Sequence, residues 1–177
     1  MSFCLIGPAV ADVDRGIRLF IEEDYVAAHA EFTEHAKKGD SKAQYWLGLM
    51  HESGEGTQQN YFEARKWYER AAQQGEVGAQ LQLAEFYLLG RGAEKDHIRA
   101  YMWFDIAARR GLQIARRNWD RMSQGMHRGE ITQAKRLAQN WRPEDSSRLD
   151  DDAYARARAA VANRSRLGWI ERLFSWK

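Results

Sequence analysis

Histidines are the residues of this sequence whose chemistry most readily suggests acid–base catalysis or metal binding. There are five of them, His29, His35, His51, His97 and His127. None lies in an HExxH motif or at a motif spacing from a nucleophile, so no catalytic or zinc motif forms around them. Glu31 and His35 are four residues apart and could share a proton on one helix face, but no third metal ligand can be named. We expect His29 and His51 to have structural roles.

Phosphate and thiol chemistry are no better supported. No GxGxxG motif or phosphate-binding lysine loop occurs, and the glycines at 54, 56, 90 and 92 are better explained by turns. Cys4 is the one cysteine, so neither an internal disulfide nor a thiolate metal site can form. We therefore predict that the protein is not an enzyme and uses no metal or cofactor.

The composition favours a single helical domain. The chain has 177 residues, and its two prolines, Pro8 and Pro143, leave a long stretch between them without any. Because proline in a helix interior costs about 3 kcal/mol, such a stretch rich in Ala, Leu, Gln, Glu and Arg indicates an all-α fold. The formal net charge of +2 is too close to neutral to indicate nucleic-acid binding by itself. No run approaches the roughly 20 apolar residues of a transmembrane helix.

A repeat of 36 residues organises the middle of the chain. Residues 43–78 and 79–114 are identical at ten of 36 positions, which is too many for chance. In the first unit these positions hold Ala43, Gln44, Leu47, Gly54, Gly56, Ala64, Trp67, Ala71, Ala72 and Gly75. The register extends backwards to Tyr25 and forwards through Ala115, after which a third unit closes about two residues early with Ala134, Leu137 and Trp141. Repeats of this length are typical of stacked supersecondary units.

Each unit is predicted to form two helices. Gly54 and Gly90 stand where the first helix needs a left-handed residue at its end, and a second glycine two positions later keeps the turn open. Asn60 and Asp96 are predicted N-caps of the second helix, which Gly75 and its equivalents terminate. Because one pair cannot bury its own apolar face, the pairs must stack into a continuous core.

These residues resemble the Sel-one-like repeat (SLR) family, a relative of the tetratricopeptide repeats. The family pattern, Ala-x3-Leu-Gly, Tyr-x2-Gly-x-Gly and Ala-x2-Trp-Tyr-x2-Ala-Ala-x2-Gly, is met twice, with His51 in place of the tyrosine and Ala84 in place of a glycine. The resemblance covers roughly residues 13–142. It implies an α-α superhelix of stacked antiparallel helix pairs that works as a scaffold or adaptor, in proteins that bacteria often export.

The first helices are expected to line a concave side. The positions that face away from Ala43, Leu47 and Met50, at about 100° per residue, would then form a groove for an apolar peptide or helix with an acidic flank. The predicted groove residues are Tyr45, Leu49, Glu52, Leu81, Glu85, Leu88, Arg117, Arg121 and Gln124. Alternatively, Leu49, Leu81 and Leu88 only contact the neighbouring pair.

Residues 1–11 are predicted to be a signal peptide whose upstream part is missing. They form a short apolar run that ends in Ala9-Val10-Ala11, the small-x-small pattern of a cleavage site. The alternative is an apolar N-terminus that packs on the first helix. We expect a periplasmic or exported protein, with a cytoplasmic location as the alternative.

The C-terminal part differs from the repeat domain at 12–142. An acidic linker at 143–152 precedes a basic amphipathic helix at 153–177, in which 156–177 carry six basic residues and one acidic residue. Its predicted docking residues are Leu167, Trp169, Ile170, Leu173, Phe174 and Trp176. Three interpretations stay open: a cap on the last repeat, a helix that docks on a partner, or a helix on an anionic membrane surface.

The function that these features favour is a non-catalytic scaffold that binds another protein, of unknown identity, in the repeat groove. The alternative is a membrane-associated envelope assembly factor that docks through the C-terminal helix. Nucleic-acid binding is a weaker third hypothesis. It rests on an arginine cluster around Trp119, formed by Arg109, Arg110, Arg116, Arg117, Arg121 and Arg128.

Overall fold

Eight α-helices make up the part of the chain that the structure, a computed structural model, describes, namely residues 13–143. They are α1 (Val13–Ile21), α2 (Tyr25–Lys37), α3 (Ser41–Ser53), α4 (Tyr61–Gln73), α5 (Val77–Leu89), α6 (His97–Arg109), α7 (Gln113–Ser123) and α8 (Arg128–Asn140). The all-α prediction is confirmed for these residues, which contain no strand. None of their helices is long and apolar enough to cross a bilayer.

The 36-residue period is visible in where the helices begin. The helices α3, α5 and α7 start at residues 41, 77 and 113, and α2, α4 and α6 start at 25, 61 and 97. Each helix packs against its neighbours in sequence from α1 to α7, so the first helices α3 and α5 each lie between two second helices. One continuous core therefore runs through the stack, as expected for repeats that cannot bury their apolar faces alone.

The predicted helix ends are confirmed. Asn60 and Asp96 cap α4 and α6 by accepting hydrogen bonds from backbone N–H groups of the first helical turn. Gly54 and Gly90 end α3 and α5 in the left-handed conformation, with φ of 84° and 73°. Since L-residues with a Cβ avoid this region, the two glycines fix where the first helices stop.

The second glycine of each turn does more than keep the turn open. A Cβ at Gly56 would lie 2.2 Å from the carbonyl oxygen of Tyr25, and one at Gly92 would lie 2.3 Å from that of Tyr61. Each turn therefore presses against the start of the second helix in the preceding pair. The Arg65 side chain donates a hydrogen bond to the Gly92 carbonyl across the same contact, at 3.0 Å.

The repeated glutamines tie one pair to the next. The Gln44 side-chain amide donates to the Ala36 carbonyl at 3.2 Å, and Gln80 donates to the Ala72 carbonyl at 3.3 Å. Both acceptors are carbonyls in the last turn of a second helix, which has no intrahelical partner for them. The equivalent position in α7 is Arg116, so this tie is not repeated between α6 and α7.

The last unit departs further from the repeat than predicted. A 36-residue step from His97 would start α8 at residue 133, whereas it starts at Arg128 after a four-residue connection. Trp119 occupies the position of Leu47 and Leu83, and an indole needs more room than the isobutyl group of leucine. The helix α8 packs mainly against α6 rather than against α7. Trp141 then contacts Trp103, with ring centroids 5.8 Å apart.

Candidate functional site

Most of the predicted groove residues on α3 and α5 are buried in the fold. Tyr45, Leu49, Glu52 and Leu81 are at most 7% exposed, and Leu81 is completely buried. The prediction that these four line an open groove is wrong, because α3 and α5 have packed neighbours on both sides of the stack. Leu49 and Leu81 instead match the alternative, in which they pack inside the repeat core.

The predicted residues on α7 are accessible. Arg117, Arg121 and Gln124 are exposed, and Leu88 at the end of α5 is half-buried. The exposed part of the predicted surface is thus confined to the side of α7 and the last turn of α5.

A cavity of about 350 Å³ opens between α5, α7 and the start of α6. Three predicted groove residues, Glu85, Leu88 and Arg121, line it. Five further residues that were not predicted complete its wall: Leu89, Lys95, His97, Asn118 and Met122. The volume falls within the range of small ligand-binding pockets.

The cavity has an apolar wall and a basic rim. Most of the surface that lines the cavity is apolar, and the apolar side chains in its wall are Leu88, Leu89 and Met122, which are partly buried. Lys95 and Arg121 are exposed, and neither forms an ion pair with any other residue in 13–143. A cavity of this kind suits an apolar group that carries negative charge beside it.

Glu85 is the polar group in the wall. It is 7% exposed, and its Oε1 atom has no hydrogen-bond partner among the described residues. Burial, together with the nearby Glu52 carboxylate, raises the pKa of Glu85 to about 8. The carboxyl is therefore mostly protonated at neutral pH, where it can both donate and accept a hydrogen bond.

Burial is the main reason why the pKa of Glu85 is raised, and the nearby Glu52 carboxylate adds to the rise. Glu52 accepts hydrogen bonds from the Arg91 guanidinium and from the Tyr68 hydroxyl, each at 2.8 Å. Burial raises the pKa of Glu52, while the bonds from Tyr68 and Arg91 oppose that rise. Burial and the adjacent Glu52 raise the pKa of Tyr68 well above its usual value. The Arg91 guanidinium thus lies near two buried carboxyl groups, those of Glu52 and Glu85, and it is hydrogen-bonded to Glu52.

The same location one repeat earlier is filled by aromatic rings. We call the space between two successive first helices a junction. In the junction between α3 and α5, Tyr61 and Phe86 occupy the repeat positions that His97 and Met122 occupy in the junction between α5 and α7. The Tyr61 and Phe86 ring centroids are 6.0 Å apart in an edge-to-face contact. Gln59 closes this junction by donating to the Glu52 carbonyl at 2.8 Å and to the Tyr61 hydroxyl.

Different side chains occupy the equivalent positions of the next junction, where the cavity lies. His97 and Met122 have smaller side chains than Tyr61 and Phe86, which hold the equivalent positions one repeat earlier. Lys95 is likewise the equivalent of Gln59. Because these side chains do not refill the same volume, space for another molecule is left between α5 and α7.

The five histidines range from buried to exposed, and two of them contact each other. His29 and His51 pack edge to face with centroids 5.5 Å apart, and burial lowers the pKa of both. The predicted contact of Glu31 with His35 is present at 3.3 Å, and Arg15 also reaches Glu31 at 3.2 Å. Residues 13–143 contain no group of three His, Cys, Asp or Glu side chains that could hold a metal ion.

Some of the late arginines form ion pairs on their own helix, while Arg117, Arg121 and Arg128 are exposed. Arg109 binds Asp105 at 2.6 Å, and Arg116 pairs with Asp120 at 3.7 Å. These two ion pairs reduce the charge available to a phosphate backbone, which weakens the nucleic-acid hypothesis.

The terminal features lie outside the described residues. This concerns the signal peptide predicted at 1–11, the linker at 143–152 beyond its first residue, and the docking residues Leu167, Trp169, Ile170, Leu173, Phe174 and Trp176. These features and the periplasmic or exported location stay predictions from the sequence.

Comparison with known proteins identifies the repeat. The Sel1 repeat family matches residues 41–76 and 77–112. The chain carries two Sel1 repeats. The matched segments coincide with the helix pairs α3–α4 and α5–α6, and the flanking pairs continue the same stack. The predicted resemblance and the predicted solenoid of stacked Sel1-like pairs are both confirmed.

Two solved structures have the same fold. The crystal structure of c5321, a protective antigen of uropathogenic Escherichia coli strains with an SLR fold, is 30% identical, with a TM-score of 0.73 over 86% of this chain. A Sel1 repeat protein from Oxalobacter formigenes is 24% identical, with a TM-score of 0.62 over 87% of this chain. The matched regions span 33% and 61% of those chains. No curated protein matches the sequence significantly.

Sel1-repeat proteins are generally scaffolds for protein interactions and typically have no catalytic activity. This supports the broad prediction that the protein binds other proteins.

Proposed function

We propose that this Sel1-repeat protein is a non-catalytic scaffold that binds a segment of a partner protein at the cavity between α5 and α7. The observation that carries the proposal is the cavity itself, which has an apolar wall and a basic rim. Partner segments bind mainly through a few side chains that fill desolvated pockets, so one such cavity is enough to anchor a peptide.

The position of the cavity supports the proposal. It lies between successive first helices, the side of the repeats from which the groove was predicted, and Glu85, Leu88 and Arg121 belong to the predicted set. The exposed Arg117 and Gln124 lie on the same helix as Arg121 and extend the surface along α7. A bound segment could therefore continue beyond the cavity and gain further contacts.

A random peptide library displayed on phage tests the proposal, with full-length protein as bait. Selected peptides are then titrated against the wild type and against Leu88→Glu, which places a charge in the apolar wall. We expect Leu88→Glu to weaken binding by about tenfold or more, because an ion would have to be buried beside the peptide.

Arg136→Glu on α8 is the matched control, since it changes an exposed charge outside the cavity wall. It should leave both helicity and peptide affinity unchanged. If no peptide is selected, or if the selected peptides bind Leu88→Glu as tightly as the wild type, the cavity is not the binding site.

A further inference from the structure

We propose that the cavity between α5 and α7 receives an aromatic side chain of the partner, flanked by acidic residues. This inference rests on the proposed function, because it names the occupant of the same cavity. It follows from comparing two junctions that are built from equivalent positions of one repeat.

The shape argument comes from the preceding junction. There the space between α3 and α5 is closed by the edge-to-face pair of Tyr61 and Phe86, and Phe86 also meets the Tyr68 ring edge to face at 5.3 Å. The corresponding pair between α5 and α7 is His97 and Met122, which leaves the cavity. The helices that enclose the two junctions start at equivalent repeat positions, but only the first junction contains the ring pair. An aromatic side chain from a partner would restore the missing packing.

The charge argument comes from the rim. Lys95 and Arg121 line the cavity, are exposed and form no ion pair within residues 13–143. Their equivalents in the preceding junction are Gln59 and Glu85, so the positive charge belongs to this junction and is not part of the repeat pattern. Acidic residues beside the aromatic anchor would find complementary charge here, which adds specificity and speeds association.

Glu85 distinguishes among aromatic side chains. Its buried Oε1 atom has no hydrogen-bond partner in the described part of the chain, and Glu85 lines the cavity. If the Glu85 side chain turns so that its carboxyl group faces the cavity, an indole N–H or a phenol O–H can satisfy that oxygen, whereas a phenyl ring cannot. We therefore expect tryptophan and tyrosine anchors to bind more tightly than phenylalanine.

The chain's own C-terminal segment is the competing occupant, since it contains Trp169, Phe174 and Trp176. Its six basic residues and one acidic residue in 156–177 give it the same sign of charge as the rim. Like charges oppose docking, so the rim favours an acidic partner over this segment.

Fluorescence anisotropy with short labelled peptides tests the inference on the full-length protein. The probes are an acidic peptide with one central tryptophan, the same peptide with phenylalanine or alanine at the centre, and a tryptophan peptide with lysine flanks. We expect the alanine peptide and the lysine-flanked peptide to bind at least about tenfold more weakly, and the phenylalanine peptide to be intermediate. Equal binding of the alanine peptide, or tighter binding of the lysine-flanked one, would overturn the inference.

Filling the cavity from within provides a second readout. The double variant His97→Tyr/Met122→Phe copies Tyr61 and Phe86 from the preceding junction, so it should keep the helical content and reduce affinity for the tryptophan peptide by about tenfold or more. Unchanged affinity in a variant with wild-type helicity contradicts the inference. Arg136→Glu again serves as the control.

Two further results separate the hypotheses. If library peptides without an aromatic anchor bind the wild type and lose affinity for Leu88→Glu, the proposed function holds and this inference fails. If replacing Trp169, Phe174 and Trp176 by alanine in the full chain raises the affinity of the tryptophan peptide about tenfold, the C-terminal segment occupies the cavity. That result would also overturn the assignment to an acidic partner.

Discussion

The junction between α3 and α5 and the junction between α5 and α7 are formed by equivalent positions of one repeat, yet the first is filled and the second is open. Tyr61 and Phe86 close the first with touching rings, while His97 and Met122 leave about 350 Å³ in the second. The positions that repeat, such as the turn glycines, hold the stack together. The positions that fail to repeat line the cavity.

The two junctions also differ in how firmly the helices are tied. Near the start of α5, the Gln80 side chain donates a hydrogen bond to the Ala72 carbonyl of α4. The corresponding position in α7 holds Arg116, which pairs with Asp120. Burial follows the same trend, since residues 77–87 of α5 are all buried while α7 buries only Ile114 and Ala115. We therefore expect substitutions to cost more in the filled junction than in the open one.

The largest expected difference is between Leu49→Glu and Leu88→Glu. Leu49 is 3% exposed in the core beside α5, so a buried charge there should destabilise the fold by about 4 kcal/mol or more. Leu88 is half-buried at the cavity, and its substitution should leave helicity nearly intact. Far-UV circular dichroism during thermal unfolding measures both, and a Leu49→Glu variant as stable as Leu88→Glu would contradict the burial on which the comparison depends.

Phe86→Ala and Met122→Ala compare the same position in both junctions. Phe86 is completely buried against two aromatic rings, so its truncation should cost about 3–5 kcal/mol. Met122 borders an existing cavity, and we expect its truncation to cost about 1 kcal/mol. Urea unfolding gives both free energies. Similar losses would mean that the second junction is packed as tightly as the first.

Glu85→Gln tests the buried carboxyl between the junctions. The pKa of Glu85 in the folded protein, about 8, lies above its ordinary value of 4.5, so the folded state holds a proton that the unfolded chain releases between these pH values. The wild type should therefore lose stability as the pH rises through this window, by at most about 1.4 kcal/mol per pH unit from this group. Glutamine cannot ionise, so the stability gained by the variant should grow from pH 5 to pH 8 and then level off. If the difference in unfolding free energy between Glu85→Gln and the wild type does not change with pH, Glu85 is ionised in the folded protein.

The smallest expected effect is a gain from the filled variant His97→Tyr/Met122→Phe. Closing a cavity with side chains that already fit the equivalent junction commonly adds about 0.5–2 kcal/mol. Chemical unfolding of the variant beside the wild type measures the gain. A clear loss of stability would show that the two junctions have different backbone frames.

The sequence predicted the fold because its signals are local and repeated. The glycines that end helices, the caps Asn60 and Asp96 and the 36-residue period each act within one turn or one pair, so spacing alone reveals them. The start of α8 was less predictable, since it departs from the 36-residue period on which the prediction depended.

The site was only partly predictable for a related reason. A helical wheel separates two faces of α5, but both faces are buried, and position on the wheel does not show which neighbour covers a residue. Glu85, Leu88 and Arg121 were identified, whereas Lys95 and His97 were missed because they follow the turn. The signal that could have identified them is the loss of side-chain volume from Tyr61 to His97 within an otherwise matched repeat.

The most direct test of the open junction uses the methionine methyl groups of the full-length protein. Met122 lines the cavity, while Met50 occupies the equivalent position of α3 and is completely buried in the core. In ¹³C-methyl spectra recorded while the acidic tryptophan peptide is added, the account predicts a ring-current shift of the Met122 resonance and an unchanged Met50 resonance. If the peptide binds and the Met122 resonance does not move, the partner does not occupy the cavity between α5 and α7.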